Sequence, residues 1–206
     1  MKSRINKCIS NSVENYQRVL NDEILQENIE NIVVKSVEAF RNDKKMLFCG
    51  NGGSASDAQH IAAELSGRFY SDRPPLYAEA LHVNSSYMTA VANDYGYDET
   101  YARMLEACGR KGDILVGIST SGNSPNVVKA LKKANEIGLT TIGFTGVNGG
   151  KMNDICDIMI KTPSDDTPRI QEAHILVGHI ICQLIEEEMF PLSLIHISEP
   201  TRRTPI

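Results

Sequence analysis

The feature that most constrains this chain is an alternation of short apolar runs with longer stretches of helical periodicity. "KMLFCG" (45–50), "EALHV" (79–83), "DILVGIS" (113–119), "TTIGFTG" (140–146) and "DIMIKTP" (157–163) read as strands. Residues 54–69, about 85–108, 124–137, a short turn near 150–154 and a long final stretch 167–190 read as helical. Residues 3–41 open the chain as one or two amphipathic helices, with Val19, Ile24, Leu25, Ile29, Ile32, Val33, Val37 and Phe40 at helical spacing. Strands separated by helices pair in parallel through right-handed crossovers. The pattern therefore predicts an α/β fold, a three-layer αβα sandwich around a five-stranded parallel sheet. Ligands of such sheets sit beyond the carboxyl ends of the strands, which points to the loops after Cys49, Val83, Ile118 and Thr145.

Composition narrows the classes of partner. At 206 residues the chain suits one domain, expected over 1–190 and including the helical segment 1–41. A net charge of −5 and the lack of a Lys/Arg stripe exclude nucleic acid as the main partner, because nothing would neutralise a row of phosphates. No run approaches the ~18 apolar residues of a membrane span, and "MKSRINKCISNSVENY" has no apolar leader, so a cytoplasmic protein with no membrane partner is expected. The five cysteines, Cys8, Cys49, Cys108, Cys156 and Cys182, are scattered without C-x-x-C and read as reduced thiols. Residues 191–206, "PLSLIHISEPTRRTPI", have neither helical period nor strand partner and read as a tail, disordered or not native to the domain.

Two loops look built for anions. "GISTSGNSPNVVKALKKA" runs from a strand through a turn into a helix, with Ser124 at the N-cap and Pro125 at the first helical position. Ser119, Thr120, Ser121 and Ser124 crowd hydroxyls around Gly122, and hydroxyls, bare amides and a helix N-terminus together hold an anion without a lysine. The absence of G-K-[ST] argues against a nucleotide P-loop. The other loop, "CGNGGSASDAQHIAAEL", fits the dinucleotide fingerprint through Gly50, Gly52 and Ala55. That fingerprint also requires an acidic residue closing the second strand. Glu79 precedes the strand and Asn84 follows it, which weakens an NAD-binding reading.

The same stretch puts His60 and Glu64 one turn apart, on one helix face and within reach of a single metal ion or substrate. Alone, such a pair is usually just solvated. The final helix, "TPRIQEAHILVGHIICQLIEEEM", gives it weight. Its N-cap is expected at Thr167, and its apolar run is interrupted by Gln171, His174 and His179, buried polar groups that need partners. Gln171 and His179 lie eight residues apart, about 12 Å along the axis, too far to share one small ligand atom within a chain. The spacing suggests that copies of the chain meet at the site. His174 reads as a core or supporting histidine.

With these residues in view, "CGNGGSASDAQHIAAELSGRF", "VANDYGY", "GISTSGNSPNVVKALKKA" and "SDDTPRIQEAHILVGHIICQLIE" resemble the phosphoheptose isomerases of the sugar isomerase (SIS) domain superfamily, from the N-terminal helices to about residue 190. The resemblance implies a flavodoxin-like SIS fold. It also implies interconversion of D-sedoheptulose 7-phosphate and D-glycero-D-manno-heptose 7-phosphate for lipopolysaccharide or capsule heptoses, and a homotetramer with sites between subunits. It implies one zinc ion per subunit on His60, Glu64, Gln171 and His179, and substrate contacts at Asn51, Gly52, Gly53, Glu64, Asn93, Asp94, Ser119, Thr120, Ser121, Ser124 and Gln171. Moving a carbonyl from C2 to C1 through an enediol needs a base and an acid on one carbon pair, and Glu64 and His179 are the expected base and acid. A carboxylate tied to zinc is a weaker base, so the two roles compete at Glu64. The resemblance extends to non-catalytic SIS regulators that bind replication initiators. A regulator has no physical need of a glutamate and a histidine at those positions.

Overall fold

The computed structural model describes residues 1–191, so all but the first residue of the 191–206 tail lies outside the described residues. Five parallel strands form one sheet in the order β2-β1-β3-β4-β5: β1 Met46–Gly50, β2 Ala78–Ala80, β3 Ile114–Ile118, β4 Thr140–Thr145 and β5 Ile158–Lys161. The helices are α1 Lys2–Leu20, α2 Glu23–Arg41, α3 Gly53–Ser66, α4 Ser85–Tyr95, α5 Thr100–Cys108, α6 Pro125–Ile137 and α7 Thr167–Met189. This is the expected three-layer αβα sandwich, and its strand order is one of the two common doubly wound ones.

Side-chain alternation along the strands builds both faces. Met46 and Phe48 of β1, Ile114, Val116 and Ile118 of β3, and Ile142 and Phe144 of β4 pack with α2, α3 and α7. Leu47, Cys49 and Leu115 point the other way and pack with α5 and α6. All five cysteines are free thiols, as expected.

The opening segment is two helices, broken at Asn21–Asp22, where the Asp22 side chain accepts from the Leu25 N–H at 3.0 Å. Several boundaries differ from expectation, among them the end of α3 at Ser66 rather than 69 and of β5 at Lys161 rather than 163. The 85–108 helix is two helices, because Gly96 at φ 92° ends α4 and a 3-10 turn, Tyr97–Glu99, intervenes. The second strand stops at Ala80, leaving His82 and Val83 in the following loop. The N-cap of α7 is Asp166, one residue before Thr167. No helix among the described residues is long and apolar enough to cross a membrane.

Candidate active site

Two clusters form, at opposite ends of α3. The first lies at the carboxyl edge of the sheet. Ser119 Oγ sits 2.9 Å from Ser124 Oγ and 3.5 Å from Ser121 Oγ, so three hydroxyls face one another over the start of α6. Ser124 is the N-cap by position, but its side chain makes no cap hydrogen bond. Its hydroxyl turns to Ser119 instead. Gly122 makes the turn at φ 66°, and a Cβ there would lie 2.0 Å from the Gly149 carbonyl oxygen, so only glycine fits. The Thr120 carbonyl accepts from the Gly146 N–H at 3.0 Å, pinning the loop to the end of β4.

The Asn51–Gly53 turn sits beside this loop. Asn51 exchanges amide hydrogen bonds with Asn126 of α6, and Gly52 turns the chain at φ 57° into α3. Gln171 lies against this end: a Cβ on Gly53 would be 2.5 Å from Gln171 Nε2. Asn93 and Asp94 pair with each other at 2.9 Å on the exposed end of α4.

The second cluster lies further down α3. His60 Nε2 is 3.1 Å from Glu64 Oε1, and the His60 and His179 rings meet edge to face at 5.0 Å. Donor atoms of His60, Glu64 and His179 all lie within 4.8 Å of one another. His179 Nε2 is buried and has no hydrogen-bond partner. Two imidazole nitrogens and a carboxylate, one of them an orphaned buried nitrogen, form a donor set that suits zinc with a position left open. The metal fits these three residues.

These side chains meet because α3 and α7 lie side by side in the same direction. Gln171 touches Gly53, Gly178 touches Ile61, and Glu186 accepts from the Phe69 N–H just beyond α3. Glu64 and His179 therefore converge within a single chain. The same alignment places Gln171 about 12 Å along α7 from His179, at the other end of α3. The four expected zinc ligands of one chain thus divide three to one.

Several residues around the clusters were not singled out from the sequence. Tyr97 and Tyr101 direct their hydroxyls at Asn51 Oδ1 from 3.2 and 3.5 Å, and Tyr101 also donates to the Gly50 carbonyl. Asp57, one turn before His60, is half-buried with Oδ2 unpartnered, and burial raises its pKa to about 6 against the pull of His60. His174, expected from the sequence as a core or supporting histidine, is fully buried, bonds the Thr145 carbonyl at 3.1 Å, and is pushed down by burial to about 4. It is a core residue under the end of β4. Phe69 packs its ring 5.7 Å from that of His179.

Comparison with known proteins identifies the family. Residues 10–146 match the family model described as SIS domain. The chain is 50% identical over 190 residues to the phosphoheptose isomerase of Clostridium acetobutylicum, covering 92% of this chain and 97% of that protein. It is 52% identical over 189 residues to that of Aliarcobacter butzleri, covering 92% and 99%. The solved phosphoheptose isomerase from Neisseria gonorrhoeae superposes with a TM-score of 0.85 at 41% identity, over 90% of this chain and 98% of that one. That from Francisella tularensis gives 0.86 at 34%, over 90% and 97%. With a shared fold and extensive identity along nearly its whole length, the chain belongs to the phosphoheptose isomerase family of SIS-domain proteins.

Proposed function

We propose that this enzyme converts D-sedoheptulose 7-phosphate to D-glycero-D-manno-heptose 7-phosphate, the first step toward a nucleotide-activated heptose. The observation that carries the reading is the meeting of a carboxylate and an imidazole, Glu64 and His179, in a chain that also holds a hydroxyl-lined anion loop. Glu64 takes a proton from C1 of the ketose to give the enediol; as the O1 proton passes to O2 and the C1 carbonyl forms, His179 delivers a proton to C2. Ser119, Thr120, Ser121 and Ser124 hold the phosphate, and the backbone amides of Gly52 and Gly53 meet the adjoining part of the sugar. Their contribution is orientation, which holds C1 and C2 in place for proton transfer. Zinc held by His60, Glu64 and His179, one ion per subunit, would supply a Lewis acid for the carbonyl oxygen.

Distance supports a shared site. Gly53 begins α3 beside the serine loop and Glu64 is eleven residues further on, about 16 Å of helix rise. A seven-carbon sugar phosphate with carbon–carbon bonds of about 1.5 Å spans only about 10 Å from C1 to phosphorus. That mismatch favours a site in which one chain's serine loop works with the Glu64 of a neighbouring copy. In that arrangement Gln171 of one copy belongs beside the His60, Glu64 and His179 of another. Ile5, Ile9, Val13 and Leu20 stay exposed on α1, and a groove of about 920 Å³ between α2 and α7 is lined by Val33, Val37, Ile180 and Leu184. Such apolar surface is what a self-assembling chain must cover, in keeping with a homotetramer.

The test is direct conversion of sedoheptulose 7-phosphate followed by proton NMR. The parent protein is expected to form the aldose, and Glu64→Gln and His179→Ala each to lose at least ~10²-fold in turnover with assembly intact. Full activity in either variant would refute the assigned roles.

A further inference from the structure

The Asn51–Gly53 turn and the N-terminus of α6 come from segments 75 residues apart, and one pair of side chains joins them. Asn51 Nδ2 donates to Asn126 Oδ1 at 2.9 Å, and Asn126 Nδ2 donates back to Asn51 Oδ1 at 2.9 Å. Neighbours fix the orientation of both carboxamides. Asn126 Oδ1 also accepts from the Val127 N–H at 3.0 Å, so the oxygen must face the helix end. Asn51 Oδ1 also accepts from Tyr97 at 3.2 Å and faces the Tyr101 hydroxyl at 3.5 Å. Asn126 is 1% exposed, so its amide meets protein alone.

A carboxamide has one oxygen with two lone pairs and two N–H donors. Both lone pairs of Asn51 and one of its N–H groups are therefore occupied inside the protein. Beyond the second Asn51 N–H, what this turn offers a ligand is its backbone, including the amides of Gly52 and Gly53. The side chain of Asn51 acts as a brace whose other end is Asn126.

We propose that Asn126 is a positioning residue: through Asn51 it sets the spacing between the Gly52–Gly53 turn and the serine loop, and so registers the sugar end of the substrate against its phosphate end. The role rests on the sugar-phosphate reading above. Two parallel hydrogen bonds between planar amides, that of Asn126 buried, resist stretching and rotation together. Each partner stands next to groups that would touch ligand, Asn126 two residues after Ser124 and Asn51 directly before Gly52. A shift near 1 Å between such groups costs on the order of 10²-fold in rate.

Asn126→Asp tests this with almost no change in volume. The aspartate keeps an acceptor for the Val127 N–H but sets a second acceptor against Asn51 Oδ1, which opens the bridge. Three quantities are measured: kcat and KM for sedoheptulose 7-phosphate, competitive inhibition by inorganic phosphate, and the thermal midpoint. The expected result is a kcat/KM lower by roughly 10- to 10²-fold; phosphate inhibition is read in the uncharged Asn126→Ser, where it should stay near the parent value, because a carboxylate two residues after Ser124 itself repels phosphate. Parent-like kinetics with only a lower midpoint would overturn the proposal, since Asn126 would then merely fasten the fold. Equal weakening of phosphate and sugar binding in Asn126→Ser would overturn it too, assigning Asn126 to the serine loop alone. A parent protein that fails to turn over the ketose sinks the isomerase reading and this role with it. If Asn126→Asp does not fold, Asn126→Ser, which keeps a hydroxyl acceptor and lacks the bridge, is judged by the same outcomes.

Discussion

Glu186 is 4% exposed near the end of α7, where an unpaired carboxylate would be costly. It is fully partnered. Its oxygens accept from the N–H groups of Phe69, Tyr70 and Ser71 at 2.8–3.1 Å and from Arg73 Nε at 3.0 Å. Arg73 in turn donates to the carbonyls of Glu64, Leu65 and Gly67 and so closes the end of α3. Burial pushes the Glu186 carboxyl up, but the three amides and Arg73 outweigh it and hold the group below the usual carboxylate range. A depressed folded pKa contributes stability that is present above the unfolded value and is lost as pH falls through the folded one. Glu186→Gln, which strands Arg73, should therefore cost about 3 kcal/mol at pH 7 in denaturant unfolding. The gap from the parent should narrow as pH falls through the lowered folded pKa, where the parent carboxyl protonates too. At this scale the sequence is informative where spacing suffices: His60 and Glu64 one turn apart predict their own contact. Asn126 and Glu186 escape such reading because every partner that gives them meaning is distant in the chain.

The elements that hold the site are α3 and α7, which run in one direction with Gly178 packed directly on Ile61. A Cβ on Gly178 would lie 2.5 Å from Ile61 Cδ1 and 2.8 Å from Ile61 Cγ1, and Ile61 is 2% exposed with little room to withdraw. Gly178→Val should push the helices apart, cost about 1–3 kcal/mol through overpacking, and lower kcat by separating Glu64 from His179. Adding Ile61→Ala to the same chain should restore part of both losses, as thermal midpoint and turnover would record. The strands were legible because buried parallel strands are short apolar runs bounded by turns, and Pro125 and Gly138 mark the two ends of α6. The divide between α4 and α5 was not, since it depends on Gly96 adopting a positive φ within an otherwise helical pattern. The early end of β2 was hidden for another reason: an edge strand pairs on one side only, and apolar residues beyond it still read as strand.

For the molecule as a whole, the central claim is that the phosphate grip of one copy works with the proton-transfer pair of another. A sequence alone suggests this only through the 12 Å between Gln171 and His179; the structure adds that Gln171 sits with the glycine turn and His179 with Glu64, at opposite ends of α3. Two variants separate the functions. Glu64→Gln removes the base, whereas Ser124→Asp keeps a favourable N-cap on α6 and sets a negative charge where phosphate must sit. Each alone should be silent. The decisive measurement is deuterium incorporation at C1 of sedoheptulose 7-phosphate in heavy water, followed by proton NMR, with the two variants co-expressed in one assembly. Exchange that returns in the mixed assembly and in neither pure variant is the predicted result. Silence in a well-formed mixed assembly would contradict the account.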